Sequence, residues 1–128
     1  MAETRRFVCI VCPRGCSLEV EVLLGTERGA KGSPSVAAVR GNSCKRGEEY
    51  ARREVVDPRR TLTSTVRTRG SARRRLSVKT SCPIPLMELR RAARALDGVV
   101  VSSPLKCGDV VLGNLLGLGV DVVATDDL

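Results

Sequence analysis

Three cysteines crowd into the eight residues CIVCPRGC, as Cys9, Cys12 and Cys16, in a chain that has no histidine. A fourth, Cys44, follows after 27 intervening residues, in GNSCKRG. Four thiolates complete a tetrahedral zinc site or cap the four irons of a cubane cluster. Without histidine, any such centre is all-cysteine or recruits carboxylates. Zinc sites usually pair two knuckles, one per hairpin. Here three ligands wrap one loop and one comes from far away, an asymmetry that favours a four-iron four-sulfur cluster over zinc. Two other readings stay open: a redox dithiol formed by the Cys-x-x-Cys of Cys9 and Cys12, and an empty relic site. The residues before Cys9 do not read as the strand leading to a helix that redox dithiols prefer. Gly15 and Gly41 give the two segments freedom to fold amides toward sulfur, and such donors tune a cluster.

The rest of the chain narrows the setting. MAETRRFVCIV lacks an apolar signal core. The longest apolar run, VVLGNLLGLGVDVVA, is interrupted by Asn114 and Asp121 and is too short to cross a bilayer. The expectation is a cytoplasmic protein with no membrane span, whose reduced thiols serve metal or redox chemistry rather than a disulfide framework. Cys82 and Cys107 stand apart and read as small half-buried hydrophobic residues. A net charge of +8, carried mostly by arginine, favours an acidic partner, nucleic acid or a phosphorylated cofactor, against the plain alternative of a solvated surface. The arginines at 67–75 are the best nucleic-acid candidate. They have no aromatic neighbours for base stacking, since Phe7 and Tyr50 are the only aromatics, so nucleic acid is the disfavoured partner. GDVVLGNLLGLGVD lacks the Gly-x-Gly-x-x-Gly order and a Walker lysine, and reads as turns between strands. There is no nucleophile motif and no carboxylate pair with a visible partner.

Periodicity gives an α+β chain. SLEVEVLL alternates, with Leu18, Val20 and Val22 on one face. GTERGAKGSPS is a turn-rich loop, VAAVR a returning strand, and RGEEYARREV a short helix. Residues 61–81 read as a hairpin. PIPLMELRRAARALDG is a helix whose apolar face is Leu86, Leu89, Ala93 and Leu96, ended by Gly98. VVVSSP reads as a buried strand and VDVVAT as the last strand. The expected organisation is a cysteine-rich lobe over residues 1–57 and a hairpin, helix and sheet lobe over 58–128.

CIVCPRGC followed by GNSCKRG resembles the N-terminal iron–sulfur domain of molybdopterin oxidoreductases, such as formate dehydrogenases and periplasmic nitrate reductases. DPRRTLTSTVRTRG is similar to the stretch that follows the last cysteine there. The large pterin-binding domains have no counterpart in so short a chain. Over nearly its whole length the sequence resembles instead a family of small uncharacterised four-cysteine proteins, described as metal-binding. GNSCKRGEEYA, DPRRTLTSTV, VKTSCPIP and GDVVLGNLLGLGVDVVAT carry that likeness. Genes of that family tend to lie beside flavoprotein genes, one similar to glycerol-3-phosphate dehydrogenase. The resemblance implies an electron-transfer subunit of an oxidoreductase, partnered by an FAD-dependent dehydrogenase and carrying a cluster on Cys9, Cys12, Cys16 and Cys44, rather than a catalyst. It also implies that Arg46, with Lys45 beside it, lies on the electron path; the alternative is an ordinary surface pair. Against this stands a zinc-stabilised basic module that docks nucleic acid or an acidic protein.

Overall fold

Alternation decides the first sheet. In Ser17–Leu23, which forms β2, Leu18, Val20 and Val22 are fully buried while Glu19 and Glu21 face water. The computed structural model describes residues 2–24 and 34–128, so residues 25–33 of the expected turn-rich loop lie outside the described residues. β1 (Ala2–Val8) runs antiparallel to β2, from Ala2 opposite Leu23 to Val8 opposite Ser17. β3 (Ser35–Arg40) pairs along the other edge of β2, ending with Arg40 opposite Glu19. The sheet order is β1-β2-β3.

The helix α1 (Lys45–Val56) covers this sheet. Gly47, Ala51 and Val55, spaced by four, make one buried row, as helical geometry requires. Ala51 and Val55 join Leu18, Val20, Val22 and Cys9 in a core. Arg52 pairs with Glu48 at 3.0 Å and donates to the Val36 carbonyl at 3.3 Å, tying α1 to β3. The helix stops at Asp57, whose N–H donates to the Arg53 carbonyl at 2.8 Å. Pro58 follows, with no N–H to continue it.

The chain divides into two compact units, Met1–Pro58 and Arg59–Leu128, each with its own core. In the second, β4 (Arg59–Arg60) pairs with β7 (Ile84–Pro85). The hairpin of β5 (Thr63–Arg69) and β6 (Arg75–Thr80) sets Val66 opposite Leu76. Thr80 is buried but satisfied: its N–H donates to the Leu62 carbonyl at 2.9 Å and its Oγ1 accepts the Leu62 N–H at 3.1 Å. A 3-10 turn, Leu86–Glu88, precedes α2 (Leu89–Asp97). The helix begins later than its periodicity predicts, because Pro83 and Pro85 disfavour helical backbone at the residue before each. Its buried face is centred on Ala92 and Leu96, with Gly98 at its end.

Three short strands complete the five-stranded sheet: β8 (Val100–Ser102), β9 (Val110–Leu112) and β10 (Val122–Ala124), in the order β8-β5-β6-β10-β9. β8 runs parallel to β5 at the sheet edge, with Val100 46% exposed. VVVSSP is therefore not a buried strand; that place belongs to β10, which has neighbours on both sides. The architecture is α+β, and among the described residues no helix is long and apolar enough to cross a membrane.

Leu76 is fully buried in the core that includes Val66, Val78, Leu96 and Val122. Leu76→Ala should cost about 2–5 kcal/mol, read as a lower urea midpoint at unchanged slope. Met87→Ala, at an 88% exposed position, should stay within about 0.5 kcal/mol.

Candidate functional site

The β1–β2 ladder does not stop at Val8 and Ser17. The Cys9 N–H donates to the Cys16 carbonyl at 2.8 Å, one step beyond the last strand pair. The residues between form a tight loop over the end of the hairpin, turned at Gly15 with φ +66°. Cys9 is 6% exposed and belongs to the core; Cys12 and Cys16 are half-buried.

Cys44 reaches the same place from the other side. After β3 the chain crosses the start of β2 at Gly41, where φ is +86°. A Cβ at Gly41 would drive into the Ser17 carbonyl oxygen, so a side chain there is opposed both by conformation and by space. The crossing delivers Asn42, Ser43 and Cys44 beside the loop. Ser43 Oγ lies 3.2 Å from Cys16 Sγ, and Asn42 Nδ2 donates to the Cys44 carbonyl at 3.2 Å. Cys44 is exposed and is the N-cap residue of α1, in extended backbone. At Gly47 a Cβ would sit 3.2 Å from Asn42 Cβ and 3.7 Å from Cys9 Sγ, so the helix meets the thiols through a residue with no side chain.

All four cysteines are free thiols and line one cavity of about 170 Å³, with Val11, Arg14, Ser43, Arg46 and Gly47. Two of these residues are arginines, and none is a carboxylate. Hydrogen bonding from the Ser43 hydroxyl holds the Cys16 thiol below its ordinary pKa. The Ser43 N–H and the Arg14 charge act the same way, against burial and the neighbouring Cys44. The Cys44 thiol is also lowered, first by the Gly47 N–H, then by the Arg46 N–H and side chain. It faces these amides without completing a side-chain cap hydrogen bond. Helix-start amides and guanidinium groups favour the thiolate, the form that binds metal.

The donor set fits a metal centre in chemistry: four thiols from two segments, two of them biased toward thiolate. Tetrahedral zinc at about 2.3 Å from each sulfur would need the four within about 4 Å of one another. Among the described residues no three His, Cys, Asp or Glu side chains meet at a spacing that holds one ion. The thiols instead ring a space many times the 10–15 Å³ or so that a single water needs.

Sequence reasoning placed Cys9, Cys12, Cys16, Cys44 and Arg46 at the site, and all five line the cavity. Lys45 is exposed at the start of α1 and is not in the lining; nor are Gly15 and Gly41, which shape the approach. Ser43, Gly47 and Arg14 were missed. Their signal lies in the wording NSCKRG and CPRGC, where a hydroxyl, a helix-start glycine and a cation adjoin the ligands. Cys82 and Cys107 are exposed, not half-buried, and belong to the second unit. The Cys107 N–H is bound by Asp127 Oδ1 at 2.8 Å. Nor does the glycine-rich segment offer free amides to a phosphate: the Asn114 N–H is taken by Asp121 at 3.0 Å and the Gly119 N–H by Asn114 at 2.9 Å.

Fold and site together define a two-unit α+β protein with a four-thiol cavity at one hairpin end. The family described as "Protein of unknown function (DUF1667)" matches residues 45–126, and the chain belongs to that family. The match opens directly after Cys44, so all four cysteines of the cavity lie outside it. The NMR structure of Clostridium perfringens protein CPE0013 is similar at 32% identity and a TM-score of 0.51, over 55% of this chain and 84% of that one. No curated protein matches.

Two outcomes follow from this geometry. Because a lowered pKa means thiolate persists to lower pH, Ser43→Ala should shift the alkylation curve of Cys16 to higher pH, toward the ordinary value of about 8.5. Peptide mass spectrometry of the metal-free chain after timed iodoacetamide treatment reads this; an unmoved Cys16 curve would show that the hydroxyl does not act on the thiol. Gly41→Ala should destabilise the chain by about 1–3 kcal/mol, measured by urea titration, and should shift Cys16 in the same direction as Ser43→Ala.

Proposed function

We propose that the protein carries electrons, holding a four-iron four-sulfur cluster on Cys9, Cys12, Cys16 and Cys44 as a partner of an FAD-dependent dehydrogenase. The observation that carries this reading is the single cavity of about 170 Å³ lined by all four thiols and by no carboxylate. When bound, such a cluster supplies one-electron storage at a potential set by its surroundings. The chain's own part is binding and tuning. The loop after β1 presents three thiols, and α1 closes the ring with Cys44 at its N-terminus. Arg14 and Arg46 bring positive charge to the cavity, which favours a reduced, more negative centre. Cys9 is buried and Val11 walls one side, which limits water.

The flavoprotein partner rests on the sequence resemblance and on the chain's positive charge. A cytoplasmic setting, where thiols stay reduced, goes with it. Part of the arginine-rich hairpin tip is internally engaged. Arg73 pairs with Asp126 at 2.6 Å, and Arg75 donates to Thr65 Oγ1 at 2.6 Å and to its carbonyl at 3.0 Å. That leaves less of it for nucleic acid than its composition suggests.

Anaerobic preparations should be brown and contain about four iron and about four sulfide per chain. Cys44→Ser should lose most of both, while Cys82→Ser and Cys107→Ser keep them. Compactness must be checked by gel filtration, since a metal centre also contributes folding energy. Stoichiometric zinc in a colourless protein would overturn the cluster and favour the zinc-stabilised module.

A further inference from the structure

The surface changes character where the β1–β2 ladder ends. Val8, the last paired residue of β1, is 59% exposed; Ile10 is 70% and Val11 42% exposed. Val11 walls the thiol cavity. Val8 lines a second, wider hollow of about 420 Å³, bounded also by Arg6, Phe7, Ser17, Leu18 and Glu19. The two hollows share one hairpin end, because Val8 pairs with Ser17 and the next residues along, Cys9 and Cys16, are joined by a 2.8 Å hydrogen bond. Neighbouring exposed aliphatics rimmed by charge mark an interaction site more often than an accident of folding.

The rim selects the occupant. The thiol cavity is lined by Arg14 and Arg46 and by no carboxylate, and exposed Lys45 adjoins Arg46. The wider hollow carries one charge of each sign, Arg6 and Glu19, paired at 3.5 Å, so the unbalanced cationic border lies on the thiol side and asks for carboxylates there beside an apolar projection. A second copy cannot supply it face to face, since Arg14, Lys45 and Arg46 would meet their own counterparts. A bilayer fits less well: membrane-seated surfaces favour Trp and Tyr at the interface, and this hairpin end has neither.

We propose that this hairpin end is the docking face for a redox protein, which seats an apolar side chain in the hollow beside Phe7 and Val8 and sets carboxylates against Arg14, Lys45 and Arg46. The proposal rests on the electron-transfer reading. It assigns affinity to the aliphatic centre, with Arg14, Lys45 and Arg46 steering the approach. The anchor hollow adjoins the thiol cavity, so the same contact that binds the partner brings it against the thiols.

The test uses the full chain as bait, immobilised from anaerobic preparations and exposed to extract of the source cells. The readout is flavin or haem chromophore retained per bait, with iron and sulfide measured on each bait. Wild type should retain chromophore, and Ile10→Glu should lose it by more than about tenfold, as for a central anchor. Met87→Glu, an 88% exposed change in the other unit, should retain it. Arg14→Gln combined with Lys45→Gln should slow capture and flatten its salt dependence. Equal retention by Ile10→Glu, or no chromophore retained by wild type, overturns the docking face. So does sedimentation of wild type with phosphatidylserine vesicles that Ile10→Glu abolishes. Ile10-dependent retention on baits that lack iron would keep the docking face and sink the cluster alone.

Discussion

The candidate site hangs on the passage of Gly41 over the Ser17 carbonyl. β3 ends at Arg40, opposite Glu19 and two residues from where β2 begins, and the chain must turn back across β2 to start α1. A left-handed glycine does this in one residue, with backbone lying on backbone. Ser43 then falls within 3.2 Å of Cys16, and Cys44 takes the N-cap of α1. A bulkier crossing would lift Ser43 and Cys44 off the loop, and Gly47, which packs toward Cys9 Sγ, would lose its reason to be bare. Two glycines on either side of Cys44 thus convert a distant fourth cysteine into a neighbour.

Convergence has an electrostatic cost that the surroundings offset. Thiols gathered in one cavity oppose each other's ionisation, and Cys44 does act to raise Cys16. The counterweights come from three independent sources: a hydroxyl at Ser43, helix-start amides at Arg46 and Gly47, and the charges of Arg14 and Arg46. None of these lies in the sheet that carries the loop, except that Arg14 sits in the loop itself. The thiolate bias is a property of how two segments meet rather than of either segment.

That distinction explains what was legible in the sequence. Strict alternation in β2 named its buried residues, because a two-residue period leaves no choice of face. The four cysteines were legible from spacing. The course of VVVSSP was not: three valines in a row say "apolar" without saying which neighbour, and only sheet order shows that β8 is an edge and β10 the interior strand. α2 was misplaced at its start by prolines whose effect is local and by one position in its face, Ala92 for Ala93. Ser43 escaped notice since a hydroxyl gains meaning only from the thiol opposite, 27 residues away. Gly41 was noticed, but for its amide; its actual role is the absence of a side chain at a crossing.

The two units also differ in what holds them. Among the described residues the Arg59–Leu128 core buries ten residues, from both hairpin strands, β7, α2, β10 and the segment before β10. The Met1–Pro58 core buries six, and one of those is Cys9. A unit that small rarely draws more than about 3–5 kcal/mol from its core, and natural ones add a staple. On the proposed reading the thiols are that staple. Three of them close the β1–β2 hairpin and the fourth stands at the entrance to α1, so a centre bound by all four joins sheet to helix. Ligand binding of this kind is folding energy. The loop that would meet a partner and the loop that would complete the fold are then one segment, which accounts for Ile10 and Val11 remaining in water while Cys9, beside them, is buried.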